Sequence, residues 1–259
     1  MAYLPSDSAR IPGDAEPGSS ASGTATGVHR LQGVLWDMDG TIVDTEPFWI
    51  RAEQELVEAH GGTWTDEQAL SLVGQALSFS AAQLQGAGVR LGIRDIIDHL
   101  TDQVAARVRA GAPWRPGARE LLAGLHAEGI PCAMVTMSEP LLAHAVADQL
   151  PEGTFSHLVT GDRVSQGKPD PEAYLLGFEL LARDHPGLSR DRVIAIEDSL
   201  PGVTSALAAG VVTLAVPHIG TLPPDDRRTD WDSLAGRSPA DLAALLPAVR
   251  SDVVVPEHS

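Results

Sequence analysis

The sequence has little cysteine and no long apolar run. Its single cysteine, Cys132, cannot form an internal disulfide, and it lies in the apolar stretch 130–135, which is typical of a buried, unreactive thiol. No run of about 18 apolar residues is present to cross a bilayer, and the first residues lack the basic start and apolar stretch of a signal peptide. We therefore predict a cytoplasmic protein without a membrane-spanning segment.

Basic side chains are also scarce. The chain has 18 lysines and arginines but 35 aspartates and glutamates, which gives a net charge of -17. This excess of negative charge repels the phosphate backbone of nucleic acids and the surface of an anionic membrane, so we expect neither as a partner. An anionic small molecule meets the same repulsion unless cations or a metal ion are placed locally at its site. Nothing in the sequence indicates an oligomer, and a monomer is the default expectation.

Short apolar runs alternate with helical patterns over most of the chain. Residues 1–29 are an exception, since they are rich in serine, glycine, alanine and proline without an apolar period, and we predict a disordered leader there and a flexible tail at 251–259. Strands that alternate with helices predict right-handed crossovers and a doubly wound, Rossmann-like α/β core with a parallel sheet. The strands are predicted at 33–37, 130–136, 156–160, 192–197 and 211–216.

An insertion separates the first two of these strands. The stretch 38–129 is far longer than the roughly 30 residues that one crossover unit needs. Apolar positions at helical spacing predict helices at 48–60, 66–73, 80–85 and 93–110, which together suit an α-helical cap at 46–112 standing over the sheet. The α/β core then comprises 30–45 and 113–250, with a loop at 220–232 and a last helix at 238–249.

Several helix ends are marked locally in the sequence. Asp170 and Ser238 each precede a proline, which predicts a capping side chain before the first helical turn. Gly129 and Gly210 each follow a helical pattern and precede a strand, as helix-ending glycines do. The core therefore repeats the order helix, glycine, strand.

Polar side chains follow the predicted strands at the points where the strands end. The first strand runs into the sequence DMDGT at 37–41, and the strand at 192–197 ends in an acidic pair. Because ligands bind outside the carboxyl ends of the strands in open α/β sheets, we expect these side chains to share one site. The residues concerned are Asp37, Asp39, Thr136, Lys168, Glu197 and Asp198.

The chemistry of this set suits a phosphate group and a divalent cation. The carboxylates of Asp37, Asp39 and Asp198 are hard oxygen ligands of the kind that Mg²⁺ prefers. Lys168 supplies a positive charge for a phosphate, and the hydroxyl of Thr136 supplies a hydrogen bond. The set therefore offers the local cations that the net charge makes necessary.

This ordered set of elements resembles the haloacid dehalogenase-like superfamily, and specifically its phosphatases with a helical cap inserted after the first strand. The resemblance covers residues of about 31–250, and its strongest element is DMDGT, whose four fixed positions are rarely met by accident after an apolar strand. It implies an enzyme, a phosphoric monoester hydrolase, that acts on a small phosphorylated metabolite with Mg²⁺ as cofactor.

The resemblance also implies a role for each residue of the set. Asp37 would be the nucleophile that forms an aspartyl-phosphate, and Asp39 would protonate the leaving alcohol and later take a proton from water. Asp198 would bind the metal directly, whereas Glu197 would either bind or orient it. In full, the expected metal residues are Asp37, Asp39 through its backbone carbonyl, Glu197 and Asp198, and the expected phosphate-binding residues are Thr136 and Lys168.

The residues that recognise the leaving group of the substrate are less clearly indicated by the sequence. Trp49 and Arg51 lie on the first helix of the insertion, and Gln75 lies between two of its helices, so each is a candidate for contact with the substrate. Trp49 and Gln75 also have plain structural interpretations, as a packed aromatic and as the residue after a helix-ending glycine. Ser138 lies close enough to the site in sequence to support it.

Two other functions remain open at this point. A sugar phosphomutase related to β-phosphoglucomutase uses a similar core, but those enzymes carry a histidine at the position that matches Trp49. A non-catalytic protein that binds a phosphorylated ligand is the second alternative, although every expected catalytic position is filled. For a phosphatase, the resemblance favours hexose phosphates as substrates first and phosphoglycolate second.

Overall fold

A six-stranded sheet, with every strand parallel to its neighbours, organises the chain in the computed structural model, which describes residues 30–73 and 76–248. The predicted leader and tail, like Gln75, lie outside these residues. The strand order is β3-β2-β1-β4-β5-β6. The strands are β1 (Gly33–Trp36), β2 (Cys132–Val135), β3 (His157–Val159), β4 (Val193–Glu197), β5 (Val212–Ala215) and β6 (Thr229–Asp230).

The central strands are buried on both faces, as their unbroken apolar runs predict. Successive side chains point to opposite faces, so Val34 and Trp36 of β1 join one apolar cluster, whereas Leu35 joins the other. Helices α5 (Ala118–Ala127) and α6 (Pro140–Ala147) pack on the first face, and α7 (Glu172–Asp184) and α8 (Leu200–Ala209) pack on the second. The predicted doubly wound, Rossmann-like α/β core is confirmed.

Before α5, four helices lie between β1 and β2 in the described part of the chain. They are α1 (Glu46–Ala59), α2 (Asp66–Leu70), α3 (Leu77–Gly86) and α4 (Ile93–Ala110). The chain leaves and re-enters the core through paired segments, because the Asp44 amide donates to the Pro113 carbonyl at 2.8 Å and the Arg115 amide donates to the Ile42 carbonyl at 2.9 Å. Among the described residues, no helix is both long and apolar enough to span a membrane.

Three helices of this insertion differ in extent from their predictions. Helix α1 begins at Glu46, two residues before the predicted start at Phe48, and ends at Ala59. Helix α2 ends at Leu70 instead of Val73, and the Ser71 hydroxyl donates to the Gln68 carbonyl at 2.6 Å, which is a local bond that competes with continued helix. Helix α3 begins at Leu77, three residues before the predicted start at Ser80, with Ala76 as its N-cap.

The C-terminal part of the core also corrects two predictions. The predicted loop at 220–232 contains β6, which pairs with β5; its two residues, Thr229 and Asp230, form no apolar run that sequence periodicity could detect. The last helix, α9 (Pro239–Ala243), is shorter than the predicted 238–249, since Pro247 lies close behind and the residue before a proline is disfavoured in a helix.

The predicted helix-end signals have different outcomes. Ser238 forms a capping box with Asp241, as predicted for an N-cap. Gly210 is the C-cap of α8 with a left-handed backbone, at φ +74°. Asp170 is not the N-cap of α7, because Pro171 holds that position, but its Oδ1 still accepts a hydrogen bond from the Glu172 amide at 3.0 Å.

Candidate active site

The candidate site lies where β1, β2 and β4 end, at the carboxyl edge of the sheet. Asp37 follows β1, Thr136 follows β2, and Glu197 is the last residue of β4. After Asp37 the chain turns tightly, since the amides of Ile42 and Val43 both donate to the Met38 carbonyl. This turn returns Asp39 to the same edge of the sheet.

Gly40 lets the turn pass close to the end of β4. Its backbone is left-handed, at φ +88°, and an added Cβ would lie 2.0 Å from Oδ2 of Asp198. A side chain at this position would therefore displace the Asp198 carboxylate, and only glycine has the backbone freedom that the turn needs.

Lys168 stands at the centre of the acidic residues. Its ammonium donates to Oδ1 of Asp37 at 2.7 Å, to Oε1 of Glu197 at 2.6 Å and to the carbonyl of Val135 at 2.9 Å. Burial lowers the pKa of Lys168, but the carboxylates of Asp37 and Glu197 raise it more, so the net shift is upward. An ammonium has three N–H donors, and all three are used here.

Glu197 is completely buried and receives five hydrogen-bond donors. Oε1 accepts from Lys168 and from the Tyr174 hydroxyl at 2.8 Å. Oε2 accepts from the Asp198 amide at 3.1 Å, the Ser199 amide at 3.4 Å and the Ser199 hydroxyl at 3.2 Å. A carboxylate has about four lone-pair sites, so this arrangement leaves none for a metal ion. Of the two roles open to Glu197, its geometry favours orienting neighbouring groups.

Asp37 has one oxygen that is held and one that has no partner. Oδ1 accepts from Lys168, whereas Oδ2 is buried without a hydrogen-bond partner. Burial, followed by the charge of Glu197, raises the pKa of Asp37 to about 7 against the lowering effect of Lys168. Burial, with Asp37 and Glu197, likewise raises the pKa of Asp198 to about 9. A cation would stabilise an unpartnered buried oxygen that lies beside further carboxylates.

Asp39 is held by hydroxyl groups from three directions. Its Oδ1 accepts from Thr45 at 2.5 Å, and its Oδ2 accepts from Ser138 at 2.6 Å and from Thr136 at 3.3 Å. The Thr136 hydroxyl in turn accepts from the Ser138 amide at 3.0 Å. Each hydroxyl can accept as well as donate, so the set can serve either protonation state of Asp39.

The acidic residues fit a divalent metal ion. Carboxylate oxygens of Asp37, Glu197 and Asp198 lie within 4.8 Å of one another, and Asp39 adds a fourth carboxylate, whereas Lys168 is the one ammonium that contacts this group in the described part of the chain. The available donors are all oxygen atoms, which suits Mg²⁺ better than a metal that prefers nitrogen or sulfur. The unpartnered Oδ2 of Asp37 and the carboxylate of Asp198 are the groups best placed to hold it.

Trp49 and Arg51, the described candidates on the insertion, are not brought into contact with these groups by any hydrogen bond or ion pair that the structure shows. Trp49 is half-buried and packs against the larger apolar cluster, and Arg51 is exposed and pairs with Glu55 at 2.7 Å along α1. Gln75 lies outside the described residues. Contact of Trp49, Arg51 or Gln75 with a substrate therefore stays a prediction.

Tyr174 is not singled out by the sequence as a site residue, whereas Thr45 belongs to the segment 44–47, for which the sequence leaves a structural turn and a substrate contact equally open. Tyr174, on α7, contacts Glu197, and Thr45, at the start of the insertion, contacts Asp39. The signal for Tyr174 is weak but present: it follows Lys168 by less than two helical turns of sequence, and a buried tyrosine normally needs a partner for its hydroxyl.

The known proteins that resemble this chain include two phosphatases. A model of the haloacid dehalogenase-like hydrolase family matches residues 31–210. Hexitol phosphatase A of Escherichia coli is 35% identical over 192 residues, which cover 72% of this chain and 83% of that protein. N-acetylmuramic acid 6-phosphate phosphatase of Pseudomonas aeruginosa is 34% identical over 209 residues, which cover 78% of this chain and 88% of that protein.

A solved structure extends the likeness to three dimensions. CbbY of Rhodobacter sphaeroides, crystallised as a variant with xylulose 1,5-bisphosphate, superposes with a TM-score of 0.71 at 26% identity and covers 82% of this chain and 99% of that one. The predicted enzyme class, a phosphoric monoester hydrolase, is confirmed by the hydrolase family model and by the phosphatase names of the relatives. The chain belongs to the haloacid dehalogenase-like hydrolases.

Proposed function

We propose that this hydrolase is a magnesium-dependent phosphatase of small sugar or sugar-alcohol monophosphates, and that Asp37 is its nucleophile. The observation that carries the proposal is the environment of Asp37, where Lys168 holds one carboxylate oxygen and the other is buried without a partner. A carboxylate fixed in this way has one oxygen free to meet a ligand. The phosphatase names of the sequence relatives agree with this reaction.

In the first step, an oxygen of Asp37 attacks phosphorus and the bond from phosphorus to the ester oxygen breaks. Asp39 gives its proton to the departing alkoxide, which leaves as an alcohol. The product on the enzyme is an aspartyl-phosphate at Asp37, so one difficult displacement is divided into two easier ones. Lys168 and Thr136 hold the phosphoryl oxygens during the transfer.

In the second step, a water molecule attacks phosphorus and Asp39 takes one of its protons. The bond from phosphorus to the Asp37 oxygen breaks, which returns the free carboxylate and releases inorganic phosphate. The hydroxyls of Thr45 and Ser138 support both halves of the cycle, because they contact Asp39 and can reverse their donor and acceptor roles.

Asp37 and Asp198, with the backbone carbonyl of Asp39, would hold the magnesium ion. When bound, the ion supplies positive charge that offsets the repulsion between Asp37 and a dianionic phosphate. Glu197 would not bind the ion directly, because both of its oxygens accept hydrogen bonds from protein donors. Through these bonds it fixes Lys168 and the backbone at Asp198.

The charge near the proposed proton donor favours a neutral leaving group. Glu46 follows Thr45 directly and is half-buried, and burial, with the charges of Asp39 and Asp44, raises its pKa to about 7. A carboxyl group at this position can accept hydrogen bonds from sugar hydroxyls in either protonation state, and when it is ionised it repels the carboxylate of phosphoglycolate. Hexose and hexitol phosphates are therefore the expected substrates, ahead of phosphoglycolate.

A panel of phosphate esters with Mg²⁺ tests this function. It should include hexose 6-phosphates, hexitol phosphates, N-acetylmuramic acid 6-phosphate, phosphoglycolate and xylulose 1,5-bisphosphate, with release of inorganic phosphate as the measurement. The Asp37→Asn variant is the control, because it removes the nucleophile and shows whether turnover belongs to this protein. Phosphoglycolate as the best substrate would contradict the preference, and no turnover of any ester would contradict the phosphatase.

A further inference from the structure

Tyr174 contacts both Lys168 and Glu197, one of the two carboxylates that hold this lysine. Its hydroxyl donates to Oε1 of Glu197 at 2.8 Å, and its ring centroid lies 5.0 Å from the Lys168 ammonium. Both Tyr174 and Glu197 are fully buried, so no water competes for this bond in the structure. The same oxygen of Glu197 therefore has two donors, one from a lysine and one from a phenol.

The shared oxygen matters because Lys168 has no spare donor. Its three N–H groups point to Asp37, Glu197 and the Val135 carbonyl. A phosphoryl oxygen can gain a hydrogen bond from this ammonium only if one of these acceptors is released. Releasing a fully buried acceptor without a second donor would leave it unsatisfied, which is costly.

We propose that Tyr174 is a positioning residue for phosphate binding: its hydroxyl keeps Oε1 of Glu197 satisfied while Lys168 turns from that carboxylate towards a phosphoryl oxygen. Asp37 and the Val135 carbonyl lack a comparable second donor among the contacts of the described residues, so Glu197 is the acceptor that Lys168 releases at least cost. The inference rests on the proposed function, because it assumes that Lys168 binds phosphate.

The chemistry of Tyr174 suits this role. Burial, followed by the charges of Glu197 and Asp37, raises the pKa of Tyr174 well above its usual range, so the phenol stays protonated and remains a donor. The aromatic face attracts the ammonium at its observed distance and continues to do so over a range of positions within about 6 Å. Tyr174 therefore contacts the lysine before and after the turn, without touching the substrate.

The test is direct binding of inorganic phosphate to the full-length protein in the presence of Mg²⁺, measured by calorimetry. The variant is Tyr174→Phe, which removes only the hydroxyl. Its dissociation constant for phosphate should rise about tenfold, the factor that corresponds to about 1.4 kcal/mol, because Oε1 of Glu197 loses its donor when Lys168 turns. KM for the best substrate of the panel should rise in parallel.

A matched control is Thr213→Val, on β5. Thr213 is also buried, and its hydroxyl donates to the Val211 carbonyl at 3.2 Å, away from the site. Its loss should alter thermal stability but leave the phosphate affinity unchanged. If Tyr174→Phe binds phosphate as tightly as the wild type, or if both variants weaken binding equally, the positioning role is overturned while the phosphatase stands.

A spectroscopic measurement covers the case in which Tyr174→Phe does not fold. The chain has 2 tyrosines, so Tyr3→Phe leaves Tyr174 as the single tyrosine for labelling with 3-fluorotyrosine. Titration with phosphate and Mg²⁺ should shift its fluorine resonance with the same dissociation constant that calorimetry gives. A resonance that does not move while phosphate binds would overturn the inference, and a wild type that binds no phosphate would overturn the proposed function as well.

Discussion

Replacing Glu53 by glutamine should stabilise the folded protein at alkaline pH and change its stability little in mild acid. Glu53 lies on the inner side of α1 and is 5% exposed, and its Oε2 accepts a hydrogen bond from the Trp64 indole at 3.1 Å. Burial raises the pKa of Glu53 from 4.5 to about 7, with the Trp64 bond acting against this shift and the charge of Glu46 adding to it.

The sign of the effect follows from proton binding. Between pH 4.5 and 7 the folded protein keeps a proton on Glu53 that the unfolded chain has lost, so the free energy of unfolding falls as the pH rises. Above the folded pKa the loss is complete and amounts to about 3 kcal/mol, from about 1.4 kcal/mol for each pKa unit. Glutamine cannot ionise, and its amide oxygen can still accept the Trp64 bond.

Urea denaturation of both proteins between pH 5 and pH 8.5 measures the difference. Glu53→Gln should be more stable by about 3 kcal/mol at pH 8 and by less than about 1 kcal/mol at pH 5. Glu58→Gln is the control, because Glu58 is exposed on the same helix, and it should change stability by less than about 0.5 kcal/mol. A difference that does not depend on pH, or a less stable Glu53→Gln at pH 8, would refute the reasoning.

Two further predictions concern the reaction. Activity should vanish in excess chelator and return with Mg²⁺, whereas Ca²⁺ should fail to restore it, because Ca²⁺ takes more oxygen ligands at longer distances; full activity in chelator would exclude the metal. Because Trp49 replaces the histidine of the sugar mutases, glucose 1-phosphate with a trace of glucose 1,6-bisphosphate should give inorganic phosphate or no reaction. Glucose 6-phosphate that accumulates faster than phosphate would show a mutase.

The core of the site could be predicted from the sequence because its residues sit at strand ends. Asp37 and Glu197 each close an apolar run, and parallel strands bring their carboxyl ends to one edge of the sheet. Lys168 has no such local signal. It could be predicted only from its place in the sequence order of the site residues, between Thr136 and Glu197. The structure places its ammonium between Asp37 and Glu197.

Other features depend on packing that no local pattern encodes. Tyr174 occupies an apolar position of α7, and only the docking of that helix against the sheet brings its hydroxyl to Glu197. The five donors of Glu197 come from two stretches of the chain, 168–174 and 198–199, so its occupied lone pairs could not be anticipated from the acidic pair alone. The contacts of Trp49 and Arg51 likewise depend on how the helices of the insertion pack.

The identity of the nucleophile is tested most directly by trapping the phosphorylated enzyme. Acid quenching during turnover of the best substrate, followed by borohydride reduction, converts an acyl phosphate to homoserine, which peptide mass spectrometry can locate. Homoserine is predicted at position 37, and a folded Asp37→Asn variant should lose at least about 10³-fold in turnover. Homoserine at another position, or an Asp37→Asn variant that folds and retains about one tenth of the wild-type turnover, would contradict the proposed mechanism.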